Sequence, residues 1–561
     1  MDSKKVNKFG KVLLGSFFVL SALAACNSTG GNEGASDNAN ENQSSNSGVA
    51  NTDGFSEEVT LRVPVYDRGV EGVPTVDDNY WTNWIQEEFG DPNNINVEFV
   101  PITRQDVMTD YALLASSQDL PTILMEYDYP KVTQWANEGY LTTFDLNDFK
   151  EVAPTYYAQM EEEGQLDFTE MDGETYFTLA KRPYWASSYN FQQFYRKDWL
   201  EEVGYDEYPT TYKEYEEAML KIQEAGLAEH PLGGAIIAAQ GADVNIPFMD
   251  YPIDEKEWAT YASAVLPPLG YEPSREYLRR ENSKYNQGLL HPEYYITDLE
   301  TQKARFINGE TFVFGEYISS NSDTLNSFYE NNPDAELAIV PMTGEDPEAG
   351  TSAAYMSDNP FGMIVGFSSQ ATEEELQAAW MYMEWMAQEE TLETMQWGIE
   401  GENYTINEET QLPESVGDYE GEYKQGFNNN KDYWAIVVET RMAGTLEDMI
   451  AAVTPKGLPK DFTQEVIDVT KQKQELAKEG YAVNFPAYSV PIESEIEYMG
   501  TLQQLYTELR DTIVMSDPAE FDKLYDEYSE QYLEAGFQEI IEERAKAYED
   551  GKSTKKLGPT E

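Results

Sequence analysis

The sequence predicts an α/β protein in which a parallel sheet carries helices on both faces. Beyond residue 59, stretches with the period of a strand alternate with stretches that have the period of a helix. The chain has 561 residues. Roughly 500 of them lie beyond an N-terminal leader, a length that suits two or more domains. Hydrophobic residues make up 40% and aromatic residues 13% of the chain, which is enough for a sizeable core.

The leader has the features of a secretory signal. Lysines precede an apolar run at 13–25, which is shorter than the ~20 apolar residues that span a bilayer as a helix. The run ends in Leu-Ala-Ala-Cys at 23–26, which resembles the lipobox of bacterial lipoproteins. This resemblance implies a signal peptide at 1–25, acylation of Cys26 with lipid chains such as palmitate, and anchoring on the outer face of the cell membrane. An ordinary signal followed by a chance cysteine is the alternative.

Cysteine and histidine counts exclude several kinds of site. Cys26 is the only cysteine, so its acylation leaves no thiol for a disulfide, a catalytic cysteine or a thiolate metal site. His230 and His291 are the only histidines, and the proline after each predicts a loop or a helix boundary. A Ser-His-Asp centre would need one of them. Since no calcium-binding loop of the Asp-x-Asp-x-Asn type is present either, we expect no metal and no cofactor.

The net charge of −67 restricts the partners of this protein. Such a field repels nucleic acid and anionic surfaces, so we expect no nucleic-acid partner and membrane contact through the lipid anchor only. A solvated acidic surface, suited to a salty or alkaline medium, explains the charge. Capture of a cationic ligand by some of the carboxylates is the alternative. We expect a monomer.

The mature chain begins with a tether and continues with alternating elements. Residues 26–53 are rich in Asn, Ser, Gly and acidic residues, and this composition predicts a flexible segment. Residues 59–65 alternate as a strand does, and Asp78 or Asn79 is placed to cap a helix. The next segments are predicted as a strand at 96–100, a helix at 105–116, a strand at 120–125 and a helix at 130–137. The first helix would hold one apolar face, formed by Trp81, Trp84, Ile85 and Phe89.

Further local features are predicted by the same rules. Gly204 is expected to end a helix in the left-handed conformation, and Thr210 or Thr211 to cap the next one. The spacing of apolar residues predicts a buried helix at 371–386. In parallel sheets, ligands bind beyond the carboxyl ends of the strands, here near Tyr66, Asp67, Tyr127 and Asp128.

Five segments resemble, in order, motifs of the extracellular solute-binding proteins of ABC importers. This is the maltose-binding-like family, and the likeness is to its large lipoprotein members in Gram-positive bacteria. The segments are LASSQDLPTI at 114–123, FYRKDWLEEVG with PTTYKEY at 194–215, YNQGLLHPE at 285–293, FING at 306–309 and GIEGENYT at 398–405. The helices predicted from 502 to 548 also resemble those of the family.

The resemblance implies a two-lobe periplasmic-binding-protein-like fold of type II, whose lobes are joined by crossing strands and close like a hinge. We expect crossings at 173–180 and near 360–365. The first lobe would comprise 55–180 with 363–420, and the second 181–362 with 421–550.

The same resemblance places a ligand between the lobes. A sugar site needs aromatic rings for apolar C–H faces and a few planar polar groups for hydroxyls. Trp185 and Trp397 are the favoured aromatic residues, and core packing is the alternative for every ring; the pair Trp81 and Trp84 is predicted to be core. The candidates are Tyr66, Asp67, Tyr127, Asp128, Lys181, Arg182, Tyr184, Trp185, Tyr189, Glu316, Trp397 and Tyr404.

Three functions follow from these expectations. The first is a lipid-anchored receptor that captures a carbohydrate, in particular an oligosaccharide, and delivers it to an ABC permease without chemistry of its own. The second is the same fold binding a peptide or another organic solute. The third is a secreted glycosidase with two carboxylates, since 104 acidic residues always offer such a pair. The resemblance favours the first and argues against an enzyme.

Overall fold

The computed structural model describes residues 54–69, 74–187, 189, 191–209, 212–233, 255–263, 266–318, 322–339, 355–408, 411–416, 431–454, 458–459, 461–479 and 482–553. Its strands are β1 (Val59–Asp67), β2 (Ile95–Thr103), β3 (Ile123–Glu126), β4 (Glu170–Met171), β5 (Glu174–Thr175), β6 (Phe177–Lys181), β7 (Phe191–Arg196), β8 (Val313–Tyr317), β9 (Leu337–Ile339), β10 (Tyr355–Met356), β11 (Phe361–Phe367), β12 (Tyr404–Ile406), β13 (Pro413–Ser415) and β14 (Ala482–Val483).

Helices precede and follow most of these strands. They are α1 (Tyr80–Ile85), α2 (Asp91–Asn93), α3 (Val107–Ser116), α4 (Tyr129–Asn137), α5 (Leu146–Val152), α6 (Pro154–Glu162), α7 (Lys197–Glu202), α8 (Tyr212–Glu224), α9 (Glu255–Tyr261), α10 (Glu272–Asn286), α11 (Leu299–Ile307), α12 (Ser322–Asn331), α13 (Glu373–Ala387), α14 (Glu389–Trp397), α15 (Lys431–Trp434), α16 (Leu446–Val453), α17 (Phe462–Lys478), α18 (Glu493–Val514), α19 (Phe521–Tyr532) and α20 (Gln538–Glu549).

The first α/β region is built around β1, β2, β3, β11 and β6. Strand β1 pairs with β2 in parallel, and the amide of Thr122, just before β3, donates to the carbonyl of Arg62 on β1. Strands β3 and β6 flank β11, and both run antiparallel to it. They are therefore parallel to each other, as the alternation of strands and helices predicts. Side chains of these strands and of α13 form one continuous hydrophobic cluster.

Strand β11 departs from the parallel arrangement, and the path of the chain explains why. The chain leaves the first region along β6 and returns along β11 after about 180 residues. Because β6 runs out of the first region and β11 runs into it, the two neighbouring strands point in opposite directions. All seven residues of β11 are buried, because the strand lies between two others and under helices.

The second α/β region has its own sheet, in the order β8-β7-β9, with both pairs antiparallel. One hydrophobic cluster combines this sheet with α11, α12, α16 and α17, and another lies between the sheet and α7 and α8. Helices α10, α18, α19 and α20 enclose a further cluster, which we call the C-terminal helical region.

Most local predictions are confirmed with small shifts in their limits. Asn79 caps α1, because its side chain accepts from the amides of Trp81 and Thr82. The amide of Asn79 in turn donates to the hydroxyl of Thr82, which completes a capping box. Trp81 is buried, as expected for core. Gly204 follows α7 with φ of 88°. Thr210 and Thr211 lie outside the described residues, as do Cys26 and the segments 1–25 and 26–53.

The expected lobe boundaries stay predictions, and the hydrophobic clusters divide the chain more finely. Tyr433 and the residues to Val438 pack with the first region, although the expected boundary assigns them to the second lobe. Trp397 and Tyr404 pack with the second region, although the first lobe was expected to hold them. Helix α14 passes between the two, since Met395 belongs to the first cluster. Among the described residues, no helix combines the length and the apolar character needed to cross a membrane.

Candidate functional site

Side chains at the carboxyl ends of β1 and β3 form a buried, charged group. The Tyr66 hydroxyl donates to the carbonyl of Met125 at 3.0 Å, and its ring lies 4.8 Å from the Arg104 guanidinium. Glu126 has no exposed surface, and Arg104 and Lys131 approach its carboxylate at 3.6 and 3.7 Å. Burial raises the pKa of Tyr66, and the charge of Glu126 adds to the effect, so Tyr66 keeps its proton and acts as a donor.

Arg68 and Asp432 form a bidentate ion pair in this group. Nε and Nη2 of Arg68 donate to the two carboxylate oxygens of Asp432, both at 2.8 Å, and only 4% of Asp432 is exposed. Burial acts to lower the pKa of Arg68, but the hydrogen bonds and the charge of Asp432 outweigh it, so the pKa lies above its usual value. The pair therefore stays ionised and holds the residues after β1 against α15.

Tyr127 lies at the centre of the same group. Burial raises its pKa, and the charges of Glu439 and Asp432 raise it further. Its hydroxyl is buried without a hydrogen-bond partner, and so is Oε2 of Glu439. Two such orphaned polar atoms in neighbouring residues indicate a place where another hydroxyl or a water completes the hydrogen bonding.

The segment from Val437 to Met442 connects this group with the second region. The amide of Lys181 donates to the carbonyl of Val437 and the amide of Glu439 to the carbonyl of Lys181, both at 2.8 Å. Gly362 on β11 leaves room for Glu439, because a Cβ there would lie 3.0 Å from the Cβ of Glu439. Three chain segments therefore run side by side between the two regions: β6, β11 and 437–439.

The same segment reaches the aromatic candidates on the other side. The hydroxyls of Tyr189 and Thr440 are 3.2 Å apart, and the Tyr184 and Tyr189 rings meet edge to face at 6.1 Å. The Arg441 guanidinium lies 5.1 Å from the ring of Trp397. Burial lowers the pKa of Arg441 to about 10, so it stays charged near neutrality.

Trp397 and Tyr404 are buried, and their positions favour the core alternative. Trp397 is 3% exposed, its indole N–H donates to the carbonyl of Met442 at 3.3 Å, and its ring lies 6.3 Å from that of Tyr404. The Tyr404 hydroxyl donates to Glu393 at 3.4 Å. Both residues thus support the segment that carries Arg441 rather than offering a free ring face.

The remaining candidates lie around the crossing segments. Lys181 pairs with Glu163 at 2.9 Å, and Asp128 with Lys131 at 2.7 Å. Arg182 approaches Asp358 at 3.9 Å, and the amide of Asp358 donates to the carbonyl of Trp185. Asp67 is exposed and accepts from the amide of Gly69. Glu316 lies on β8 opposite Gln192, and its side chain is outside the described part.

The structure thus brings Tyr66, Tyr127, Lys181 and Arg182 together with several residues that sequence reasoning missed. The missed residues are Arg68, Arg104, Glu126, Lys131, Asp432, Glu439 and Arg441. Nine of these residues form what we call the crossing cluster, at whose edges Lys131 and Arg441 lie: Tyr66, Arg68, Arg104, Glu126, Tyr127, Lys181, Arg182, Asp432 and Glu439. Each of its four cations approaches a carboxylate: Arg68 and Arg104 within the cluster, and Lys181 and Arg182 outside it, at Glu163 and Asp358. Its planar polar groups can therefore bind neutral hydroxyls. Within the described residues, no three acidic, histidine or cysteine side chains group in a way that could hold a metal ion.

The profile of one protein family matches this chain. Its description is "Bacterial extracellular solute-binding protein", and the match extends over residues 84–421. The sequence matches none of the curated proteins with which it was compared.

Several solved structures have a similar fold. An HMO-binding solute-binding protein of an ABC transporter from Bifidobacterium longum infantis has a TM-score of 0.63 at 14% identity, covering 88% of this chain and 99% of that one. FusA of S. pneumoniae in complex with kestose and the alginate-binding protein AlgQ2 each have a TM-score of 0.59 at 15% identity, with the same coverage. These structures confirm the expected two-lobe fold. The family and these neighbours are binding proteins.

Proposed function

The chain belongs to the bacterial extracellular solute-binding proteins, and we propose that it captures a carbohydrate, in the form of an oligosaccharide, and delivers it to the permease of an ABC importer. The crossing cluster carries this proposal. It combines planar ion-paired groups with two buried polar atoms that lack a hydrogen-bond partner, the Tyr127 hydroxyl and Oε2 of Glu439. Tyrosines lie nearby, and the group is at the place where the chain passes between two α/β regions. The names of the solved neighbours, which refer to alginate, kestose and HMO, support a glycan as the ligand class.

The proposed binding group consists of the side chains that surround Tyr127 and Glu439. A glycan hydroxyl placed between them would donate to Oε2 of Glu439 and accept from Tyr127, whose raised pKa keeps its proton in place. Arg182 and Trp185 border the same crossing and would contact a further sugar unit. Tyr184, Tyr189, Asp67, Asp128 and Glu316 remain proposed contributors. Binding and release would involve no bond cleavage.

Thermal unfolding in the presence of a glycan panel tests this function. A glycan that raises the melting temperature, and is recovered intact, supports capture without chemistry. Glu439→Gln and Tyr127→Phe are each expected to weaken its binding by roughly tenfold, which corresponds to one lost hydrogen bond to a charged or buried group. Tyr498→Phe, which removes an exposed hydrogen bond from α18 to Glu539, is the matched control and should leave affinity unchanged. Stabilisation by peptides alone, or appearance of cleaved product, would contradict the proposal.

We further propose that Cys26 anchors the protein to the outer face of the cell membrane. The apolar run and Leu-Ala-Ala before this cysteine support the proposal. Cys26→Ala should release the protein from the membrane fraction into the medium, and mass spectrometry should find two or more acyl chains on the wild-type N-terminus. Retention of the variant in the membrane fraction would contradict acylation at this residue.

A further inference from the structure

Three large apolar side chains protrude from one short segment of the second region. Tyr295 is 47% exposed, Ile296 67% and Leu299 50%, and we call these three residues the apolar ridge. In the described part of the chain, the other strongly exposed large apolar side chains are Leu113, Tyr208 and Val416, which are scattered. Single exposed apolar residues are ordinary, but a group within five positions indicates a contact surface.

The ridge is held in place by its own neighbours. Tyr294 is fully buried, its hydroxyl donates to Asp511 at 3.2 Å, and its ring meets that of Tyr295 edge to face at 5.9 Å. The hydroxyl of Thr297 donates to the carbonyl of Glu293 at 2.7 Å, and Asp298 caps α11 by accepting from the amide of Thr301. These bonds fix the backbone, so the exposed side chains are presented in a defined arrangement and lose little entropy on contact.

Charge around the ridge limits what can cover it. Glu293, Asp298 and Glu300 are exposed beside it, and Lys303, which approaches Glu300 at 3.4 Å, leaves an excess of negative charge. A second copy of the chain would bring the same acids and a net charge of −67, and the two surfaces would repel each other. An anionic lipid surface would be repelled for the same reason. The remaining complement is a protein surface with an apolar groove edged by Lys and Arg.

We propose that the apolar ridge is a docking surface for the extracellular face of the importer's permease, which would carry such a groove. This inference rests on the proposed function, because it takes delivery to a permease as given. Docking through the ridge leaves the crossing cluster untouched, so loss of the ridge would separate glycan capture from glycan uptake.

The experiment compares three variants of the full-length protein in cells that carry the importer. The ridge variant combines Tyr295→Ser, Ile296→Ser and Leu299→Ser; all three residues are exposed, so the fold should persist. The charge variant combines Glu293→Lys, Asp298→Asn and Glu300→Lys. The control variant combines Leu113→Ser, Tyr208→Ser and Val416→Ser. Calorimetry gives the dissociation constant of each purified protein for the glycan, and labelled glycan gives uptake.

The expected result is a selective loss of uptake. The ridge variant should bind glycan within about twofold of the wild type and support at least about tenfold less uptake at subsaturating glycan. Uptake by the charge variant should also be lower than that of the wild type, and uptake by the control variant should equal that of the wild type. Uptake that is unchanged in the ridge variant, or that falls only in proportion to glycan affinity, overturns the inference.

Two further measurements test whether a second copy of the chain or a lipid surface covers the ridge instead. Light scattering that shows a wild-type dimer and a monomeric ridge variant would assign the ridge to a second copy and overturn permease docking. Sedimentation of the Cys26→Ala protein with anionic vesicles, lost in the ridge variant, would assign it to lipid and also overturn it. If the wild type itself neither binds a glycan nor supports uptake, the proposed function fails, and the inference fails with it.

Discussion

The ion pair of Arg68 and Asp432 joins residues that are 364 positions apart in the chain. Neither residue stands in a periodic pattern, and their pairing follows from the fold alone. The pair fixes the end of β1 against α15 in a largely buried place, where an isolated charge is costly. Its removal should therefore affect stability before it affects binding.

Arg68→Ala is expected to lower the free energy of unfolding by about 3 kcal/mol, because Asp432 would stay buried without its partner. Urea unfolding measures the change. In the double variant with Asp432→Ala, the loss should be smaller than the sum of the two single losses, since no uncompensated charge remains. Additive losses would show that the pair contributes nothing as a unit.

The surroundings of His291 predict that the stability of the folded protein depends on pH. Burial lowers its pKa below 6.5, and the electrostatic influence of Arg305 and His230 lowers it further, against the opposing charges of Glu293 and Glu229. The unfolded chain then binds more protons than the folded one below pH 6.5. The stability that His291 contributes is complete above about pH 6.5 and is lost as the pH falls through the lowered pKa.

His291→Gln tests this dependence. Unfolding of the wild type should become easier between about pH 7.5 and about pH 5.5, and the variant should show a smaller change over this range. The chain has only two histidines, so few other groups titrate there. If stability changed equally with pH in the wild type and in His291→Gln, the prediction would be contradicted.

At the scale of elements, two glycines in the C-terminal helical region have opposite roles. Gly500 lies inside α18, and a Cβ there would meet no atom within 4 Å. Gly536 lies in the kink between α19 and α20 with φ of 125°, and a Cβ there would lie 2.4 Å from the ring of Tyr498. Gly500 weakens its helix although a larger side chain would fit there. At position 536, the backbone conformation itself requires glycine.

Gly500→Ala is expected to stabilise the protein by about 0.5–1 kcal/mol, the difference in helix propensity between the two residues. Gly536→Ala should destabilise it, because the new methyl group would strike Tyr498 in a conformation that L-residues rarely adopt. Thermal unfolding of the two variants beside the wild type gives the comparison. A loss of stability in Gly500→Ala would contradict the helix argument.

Elements with a local signal were predictable from the sequence, and contacts between distant residues were not. Alternation of side chains gave β1, and the polar residue before an apolar run gave the cap at Asn79. Glu439 belongs to the crossing cluster, and Arg441 lies beside it, because 437–439 pairs with Lys181, more than 250 positions away. The rings of Trp397 and Tyr404 illustrate the same limit, since spacing alone does not distinguish a core ring from a ring that faces a ligand.

On the scale of the whole molecule, the charge of −67 acts on stability. Like charges held together in the folded protein repel one another, and unfolding lets them separate. Raising NaCl from about 0.02 M to about 0.5 M shortens the screening length severalfold and should raise the melting temperature by several degrees. An uncharged solute at equal osmolality is the control. A melting temperature that falls with salt would indicate that favourable ion pairs outweigh the repulsion.

The adjacent segments β6, β11 and 437–439 have a consequence for protein engineering. Since the polypeptide passes repeatedly from one half to the other, neither half is encoded by a contiguous piece of gene. A gene truncated at one of these segments would therefore encode only part of each half. A reporter of closure therefore has to be grafted into an intact chain, for example as one fluorophore on each side of these segments, so that bending between them is read as a change in energy transfer.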